Sequence, residues 1–247
     1  MDYIHRQIIN FLKKTFEQTG KKNAVLGLSG GIDSATSFYL LSEVLKPENI
    51  FVAHLYYFEP MTALLAPMLK KKGIPETNIC FLSIHQSVET TANTLRISPD
   101  DKMRIGNIAA RMRMIFLFDL AKKTNSLVCG TENKSENLLG YFTRFGDQAS
   151  DIEPIAHLYK TEVYGLAEYL NIPNNIIKQK PTAGLWQGQA DEEEFGFTYE
   201  EADKVLNLYF DKHQNIGNIE AKGLNNARKI IERSLQNAFK HKVPYHL

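Results

Sequence analysis

The sequence predicts an α/β fold, a doubly wound and mostly parallel sheet flanked by helices. Three observations carry that prediction. Short apolar runs alternate with helical periodicity from Asp2 to Cys129, the pattern of βαβ units with right-handed crossovers. Two of those runs open into polar, glycine-punctuated loops, Ser29–Ser34 and Gly130–Glu136. The 247 residues show no internal repeat and no separating linker, so the chain reads as a single domain over 1–247.

Apolar residues at Ile4, Ile8, Phe11, Leu12 and Phe16 recur at helical spacing and predict a first helix over Asp2–Thr19. Ala24–Leu28 is a continuous apolar run, as in a strand buried on both faces. A second helix follows the glycine loop and runs to about Leu45. Ile50–Tyr56 is the second strand, Met61–Lys72 a helix closed by Gly73, and Ile79–Leu82 the third strand. A helix near Val88, a long helix over Met103–Lys122 and a fourth strand at Leu127–Cys129 complete this part. Beyond Gly140 the pattern is irregular and then helical, with Lys160–Leu170 ended before Pro173. Pro181–Phe197 reads as a long loop, and within it Gly184–Gly196 as a lid anchored by Trp186. Tyr199–Tyr209 and Leu224–Lys240 read as helices.

Composition excludes several classes. With 29 basic and 28 acidic side chains the net charge is +1, too balanced to hold a polyanion, so no nucleic acid is expected. The two cysteines, Cys80 and Cys129, lie in strand-like runs and read as buried thiols in a reducing compartment. No apolar run approaches the ~20 residues a membrane helix needs, and Met1–Arg6 opens no signal peptide. The expectation is a cytoplasmic protein without a membrane partner.

Ligands of such sheets bind beyond the carboxyl ends of the strands, where strand order reverses. With order 3-2-1-4, the loops Ser29–Ser34 and Gly130–Glu136 flank that point. In Ser29-Gly30-Gly31-Ile32-Asp33-Ser34 the adjacent glycines let amides approach an anion, and the following helix start adds partial positive charge. The Walker pattern GxxxxGK[ST] and GxGxxG are both absent. An aspartate and a serine stand in the loop instead, which suits a Mg²⁺-bound pyrophosphate.

Ser-Gly-Gly-x-Asp-Ser resembles the pyrophosphate loop of the N-type ATP pyrophosphatases, which implies cleavage of ATP between its α and β phosphates. Further motifs resemble one branch of that family, the ammonia-dependent NAD synthetases. These are Gly106-Asn107-Ile108-Ala109-Ala110-Arg111-Met112-Arg113-Met114, Gly130-Thr131 through Glu136, Gly140-Tyr141-Phe142-Thr143-Arg144-Phe145-Gly146-Asp147, and Pro154 through Val163. Arg104, Asn107 and Arg111 share one helix face by their spacing. Arg144 stands where a lysine is common, and Gln148-Ala149-Ser150 where relatives have glycines. The resemblance runs from about Leu28 to Lys242.

The resemblance implies the adenine-nucleotide pyrophosphatase fold and a role for each matching residue. ATP would meet Leu28, Ser29, Gly30, Gly31, Asp33, Ser34, Thr131, Lys160 and Thr182. Asp33 and Glu136 would bind Mg²⁺. Lys160 and Thr182 would stabilise charge during attack on the α-phosphorus, and Asp147 would accept a proton from ammonium or bind a second ion. Arg111, Arg144, Asp151, His241 and Lys242 would hold deamido-NAD. The family implies a homodimer. ATP as co-substrate, Mg²⁺, deamido-NAD and ammonia are thus the implied ligands, and an acyl-adenylate the implied intermediate. A glutaminase domain needs a cysteine nucleophile and more chain than 247 residues provide, which leaves ammonia as nitrogen source. The alternatives are a tRNA-thiolating or GMP-forming relative and an ATP-binding module without chemistry.

Overall fold

Apolar side chains on both faces of Asn23–Gly27 (β1) place this strand in the middle of the sheet, with Ala24, Val25 and Leu26 fully buried. The structure, a computed structural model, describes every residue except Gln187, Val243 and residues 245–247. Asp2–Thr19 (α1) precedes β1, and Ile32–Val44 (α2), Ile50–Tyr56 (β2), Thr62–Lys71 (α3) and Ile79–Ser83 (β3) follow it. His85–Thr94 (α4), Lys102–Thr124 (α5) and Ser126–Cys129 (β4) complete the sheet region. The four strands run parallel in the order β3-β2-β1-β4. The predicted α/β class and strand order hold.

Side-chain alternation sorts the two faces. Ala24 and Leu26 join Leu12, Phe38, Leu40 and Leu65 in a core built with α1, α2 and α3. Val25 turns the other way onto Val128 and Ala121, and Ala53 and Leu55 meet Val88 and Ile108 from α4 and α5. The predicted boundaries differ from the observed ones by at most three residues, because helix ends depend on local capping. Asp101 caps α5 by accepting from the Arg104 amide, and Asn125 ends it in the left-handed region at φ 53°.

Past β4 the chain builds a helical layer: Lys134–Leu139 (α6), Lys160–Tyr169 (α7), Asn174–Ile177 (α8), Asp191–Phe195 (α9), Tyr199–Leu206 (α10), Ile216–Glu220 (α11) and Ala227–Asn237 (α12). A separate core of Leu139, Phe195, Phe197, Leu206, Ile219 and Ile230 holds most of it together. Helices α6, α8, α9 and α11 have four to six residues, too short to show a period in sequence.

The stretch read as a free loop and lid is therefore partly folded. Its acidic run, Asp191–Glu194, forms the first turn of α9, where negative charge complements the helix dipole. Phe195 is 2% exposed. Gln189 is buried; its side chain accepts from the Leu185 amide and donates to Tyr141 and Glu194. Leu185 rests on Gly106 of α5, where a Cβ would come within 2.6 Å of the Leu185 Cβ. Trp186 is half-buried, and Gln187 lies outside the described residues.

Candidate active site

The first loop closes on itself before α2 begins. Ser34 Oγ accepts from the Ser29 amide at 3.2 Å, donates to the Gly31 carbonyl at 3.0 Å, and lies 3.0 Å from Ser29 Oγ. Gly30 has φ +98°, and a Cβ there would fall 2.6 Å from the Met61 sulfur, so both backbone angle and space demand glycine. Gly31 is the N-cap of α2, with no side chain bonded to the first helical amides. Those amides remain available for an anion.

The second loop is built around Asn133. This residue is 0% exposed and its side chain accepts from the Glu136 amide at 3.0 Å, which starts α6 and sets Glu136 on its first turn. Lys160 arrives from the start of α7. The Lys160 amide donates to Ser135 Oγ at 2.8 Å, the Thr161 amide donates to Asp203 at 2.8 Å, and the Ser135 hydroxyl bonds the same buried Asp203. One acidic side chain on α10 thus fixes the start of α7.

These elements meet at a single cation. Lys160 Nζ lies 2.5 Å from Asp33 Oδ2 and 3.0 Å from Glu136 Oε1, with its side chain 3% exposed. Burial alone lowers a lysine pKa, but here Asp33 and Glu136 outweigh it and hold the ammonium well above its usual range. Burial raises the Glu136 carboxyl, and Lys160 opposes that rise. Two carboxylates from opposite sides of the strand-order reversal converge on one positive charge. That donor set fits a hard divalent ion shared with phosphate oxygens, with the lysine ammonium standing where such charge is needed.

A cleft of about 370 Å³ surrounds this centre. Of the residues expected from sequence, Leu28, Ser29, Gly31, Asp33, Ser34, Thr131, Glu136, Asp147, Lys160 and Thr182 line it. Gly30 shapes the loop without facing the cleft. Asp147 is exposed, and its Oδ1 accepts from the Thr143 amide at 2.8 Å, closing a tight turn whose Thr143 hydroxyl donates to Asn107 of α5.

The residues expected for the second substrate lie outside this cleft. A hollow of about 50 Å³ shares Thr131, Glu136, Tyr141 and Asp147 with the cleft and extends it to Phe142. The His241 ring sits 5.4 Å from the Phe142 ring, and the Arg144 guanidinium 5.2 Å over Phe239. The chain end and the motif loop therefore meet beyond the hollow. Arg111 and Lys242 are exposed. Asp151 is exposed too, and its Oδ2 accepts from the Val128 amide at 2.8 Å, so one oxygen serves the end of β4.

Several neighbours were not assigned from sequence. Arg113 lines the cleft and donates to the Leu55 carbonyl at 3.0 Å; it belongs to the motif that supplied Arg111. Lys240 donates to the carbonyls of Gly140 and Phe142 at 2.6 and 3.1 Å, fastening the chain end to the motif loop. Glu153 packs so closely under Gly130 that a Cβ there would fall 1.8 Å from its carboxylate. Burial together with Glu153, Glu136 and Asp147 pushes the Glu132 carboxyl up to about 8. Burial raises Glu153 to about 7. For Asn133 a signal existed: an asparagine three residues before a glutamate is a helix-start pattern. Asp203 had none, because its role depends on contacts across the fold.

The 3-2-1-4 parallel sheet, the SGGxDS loop at a helix start and the carboxylate–lysine centre define an adenine-nucleotide pyrophosphatase of the N-type. Within that class, the NAD synthase family model matches residues 4–244, and the chain belongs to that family. It is 38% identical to an NH(3)-dependent NAD(+) synthetase of Fusobacterium nucleatum, over 98% of this chain and 93% of that protein. Among solved structures it is similar to the NH3-dependent NAD synthetase of Campylobacter jejuni, at 31% identity and TM-score 0.82, covering 100% and 98% of the two chains. An NMN synthetase from Francisella tularensis is similar at 30% identity and TM-score 0.83, with the same coverage.

Proposed function

We propose that the chain makes NAD by amidating deamido-NAD with ammonia, driven by cleavage of ATP to AMP and pyrophosphate. The observation that carries this reading is the meeting of Asp33, Glu136 and Lys160 beside the Ser29–Ser34 loop. ATP lies with its β and γ phosphates on the amides of that loop and its α-phosphorus toward Lys160 and Thr182. Asp33 and Glu136 hold Mg²⁺, which when bound neutralises charge on the triphosphate. The nicotinate carboxylate reaches the cleft through the hollow beside Phe142, while Arg111, Arg144, Asp151, His241 and Lys242 receive the rest of the dinucleotide.

A carboxylate oxygen attacks the α-phosphorus, the α–β bridging bond breaks, and pyrophosphate leaves. Ammonia then attacks the acyl carbon of the resulting acyl-adenylate, the bond to AMP breaks, and a proton passes from nitrogen to a base. Asp147, which lines both cleft and hollow, takes that proton. Lys160 and the loop amides contribute fixed charge and position, on which phosphoryl-type transfer depends most. The segment Lys180–Gly184 lines the cleft and keeps water from the acyl-adenylate. A homodimer fits the exposure of Met103 and Ile115 on the helix that carries Arg111. Among the described residues no helix is long and apolar enough to cross a membrane. The proposed setting is the cytoplasm, whose reducing conditions suit the free thiols of Cys80 and Cys129.

The likeness to the Francisella tularensis NMN synthetase favours one second reading, in which the mononucleotide is amidated. The test supplies the purified chain with ATP, Mg²⁺ and ammonium chloride, and either deamido-NAD or nicotinate mononucleotide. NAD and AMP should form in equal amounts, the dinucleotide should be preferred, and glutamine should support only traces. Preferred use of the mononucleotide favours the second reading. Absence of any amide product overturns both.

A further inference from the structure

The side chain of Asn133 has two polar atoms and faces two different elements. Its Oδ1 accepts from the Glu136 amide at 3.0 Å, and its Nδ2 donates to Asp33 Oδ1 at 2.9 Å. Chemistry fixes that orientation: the helix-capping end must accept from an N–H, so the other end is the donor. The second oxygen of Asp33, Oδ2, faces Lys160 Nζ at 2.5 Å. The Asp33 carboxylate is thus held at both oxygens, one by an amide and one by the cation. The amide is 0% exposed, so no water competes for it.

We infer that Asn133 is a positioning residue for the cation site, one buried amide that aims the Asp33 carboxylate and seats Glu136 at a set distance from it. Asp33 lies in the first turn of α2 and Glu136 in the first turn of α6, on opposite sides of the strand-order reversal, and Asn133 bonds the Asp33 carboxylate and the Glu136 amide. Lys160 pulls on both carboxylates but leaves Asp33 free to pivot about its Oδ2. The Asn133 donor removes that freedom, so both carboxylates present to one ion without reorganisation when it binds. Hydrogen bonds of this kind to metal-binding carboxylates are worth about 10–100-fold in affinity or activity. The inference rests on the reading of Asp33 and Glu136 as the Mg²⁺ pair.

Asn133→Ser separates positioning from capping. Serine is a favoured N-cap and keeps the acceptor for α6, but it has no donor at the Asp33 end. Mn²⁺ affinity is measured by titration calorimetry with a non-hydrolysable α,β-methylene ATP analogue, beside the thermal midpoint and turnover. N133S should melt within a few degrees of wild type, bind Mn²⁺ about 10–100-fold more weakly and lose turnover by a similar factor. Asn133→Asp keeps volume and cap but sets an acceptor against Asp33; its turnover should fall at least as far, and it decides the matter if N133S does not fold. Wild-type Mn²⁺ affinity and turnover in a folded N133S, or wild-type turnover in N133D, would overturn the inference. Asp33→Asn is run in parallel. If D33N loses Mn²⁺ and N133S does not, only the positioning role fails; if D33N also binds as wild type, the Mg²⁺ pair itself is wrong.

Discussion

Lys160 reaches across 127 residues of sequence to place its ammonium 2.5 Å from the Asp33 carboxylate. A lysine in the first turn of a helix opposes the dipole, so the carboxylates of Asp33 and Glu136 are what make the position tolerable. Removing it leaves two partly buried anions facing each other. Lys160→Met should therefore cost about 3–5 kcal/mol of stability without divalent ions. Mg²⁺ should raise the melting temperature of K160M more than that of wild type, because an ion then replaces the missing charge. Turnover should fall by about 10²–10³ even with Mg²⁺. Equal Mg²⁺ responses of the two proteins in a thermal melt would contradict this picture of the centre.

Glu132 makes a pH prediction. Its carboxyl is raised to about 8 by burial and by Glu153, Glu136 and Asp147, against 4.5 in an ordinary setting. The folded protein thus holds this proton more tightly than the unfolded chain. Its contribution is full below about pH 4.5 and is lost as pH rises through about 8. Glu132→Gln removes the ionisation and keeps the oxygen that accepts from Asn137. Against wild type, E132Q should be neutral near pH 4.5 and more stable by roughly 1–3 kcal/mol at about pH 8.5. Urea denaturation at both pH values measures this, and a gain that does not grow with pH would count against the reading.

The contact of Leu185 with Gly106 makes a packing prediction. Glycine to alanine inside a helix ordinarily stabilises by about 1 kcal/mol. At Gly106 the new methyl would press on Leu185, and overpacking of that kind costs about 1–3 kcal/mol. Gly106→Ala should therefore raise the KM for ATP several-fold by shifting the segment that carries Thr182. Leu185→Ala in the same chain should restore it, with a coupling of about 1–2 kcal/mol in the double-mutant cycle. Additive effects would mean that Leu185 does not transmit the change.

The sheet was legible because its strands are apolar on both faces and its helices long enough to show a period. The meeting of Asp33, Glu136 and Lys160 was legible for a related reason. Asp33, Glu136 and Lys160 all stand at the first turn of an element that a strand end or a proline had already delimited. Four short helices were not legible, since residues such as Phe195 and Ile219 become core only when Leu206 and Ile230 pack on them. Asp203 escaped for the same reason, as did the contact of Lys240 with Gly140: each acts on backbone far away in sequence. Asp151 was assigned to substrate, and its bond from the Val128 amide was not foreseen, because it too joins residues far apart in sequence.

The most direct test of the proposed chemistry follows the carboxylate oxygen. Attack of the nicotinate carboxylate on the α-phosphorus puts one of its oxygens between carbon and phosphorus. When ammonia displaces AMP, that oxygen leaves with the phosphorus. Deamido-NAD labelled with ¹⁸O in the carboxylate is converted with ATP, Mg²⁺ and ammonium, and the products are weighed by mass spectrometry. The expected result is one ¹⁸O in AMP, none in pyrophosphate and one retained in the NAD amide. Label in phosphate or pyrophosphate, or NAD formed with unlabelled AMP, would contradict activation at the α-phosphorus.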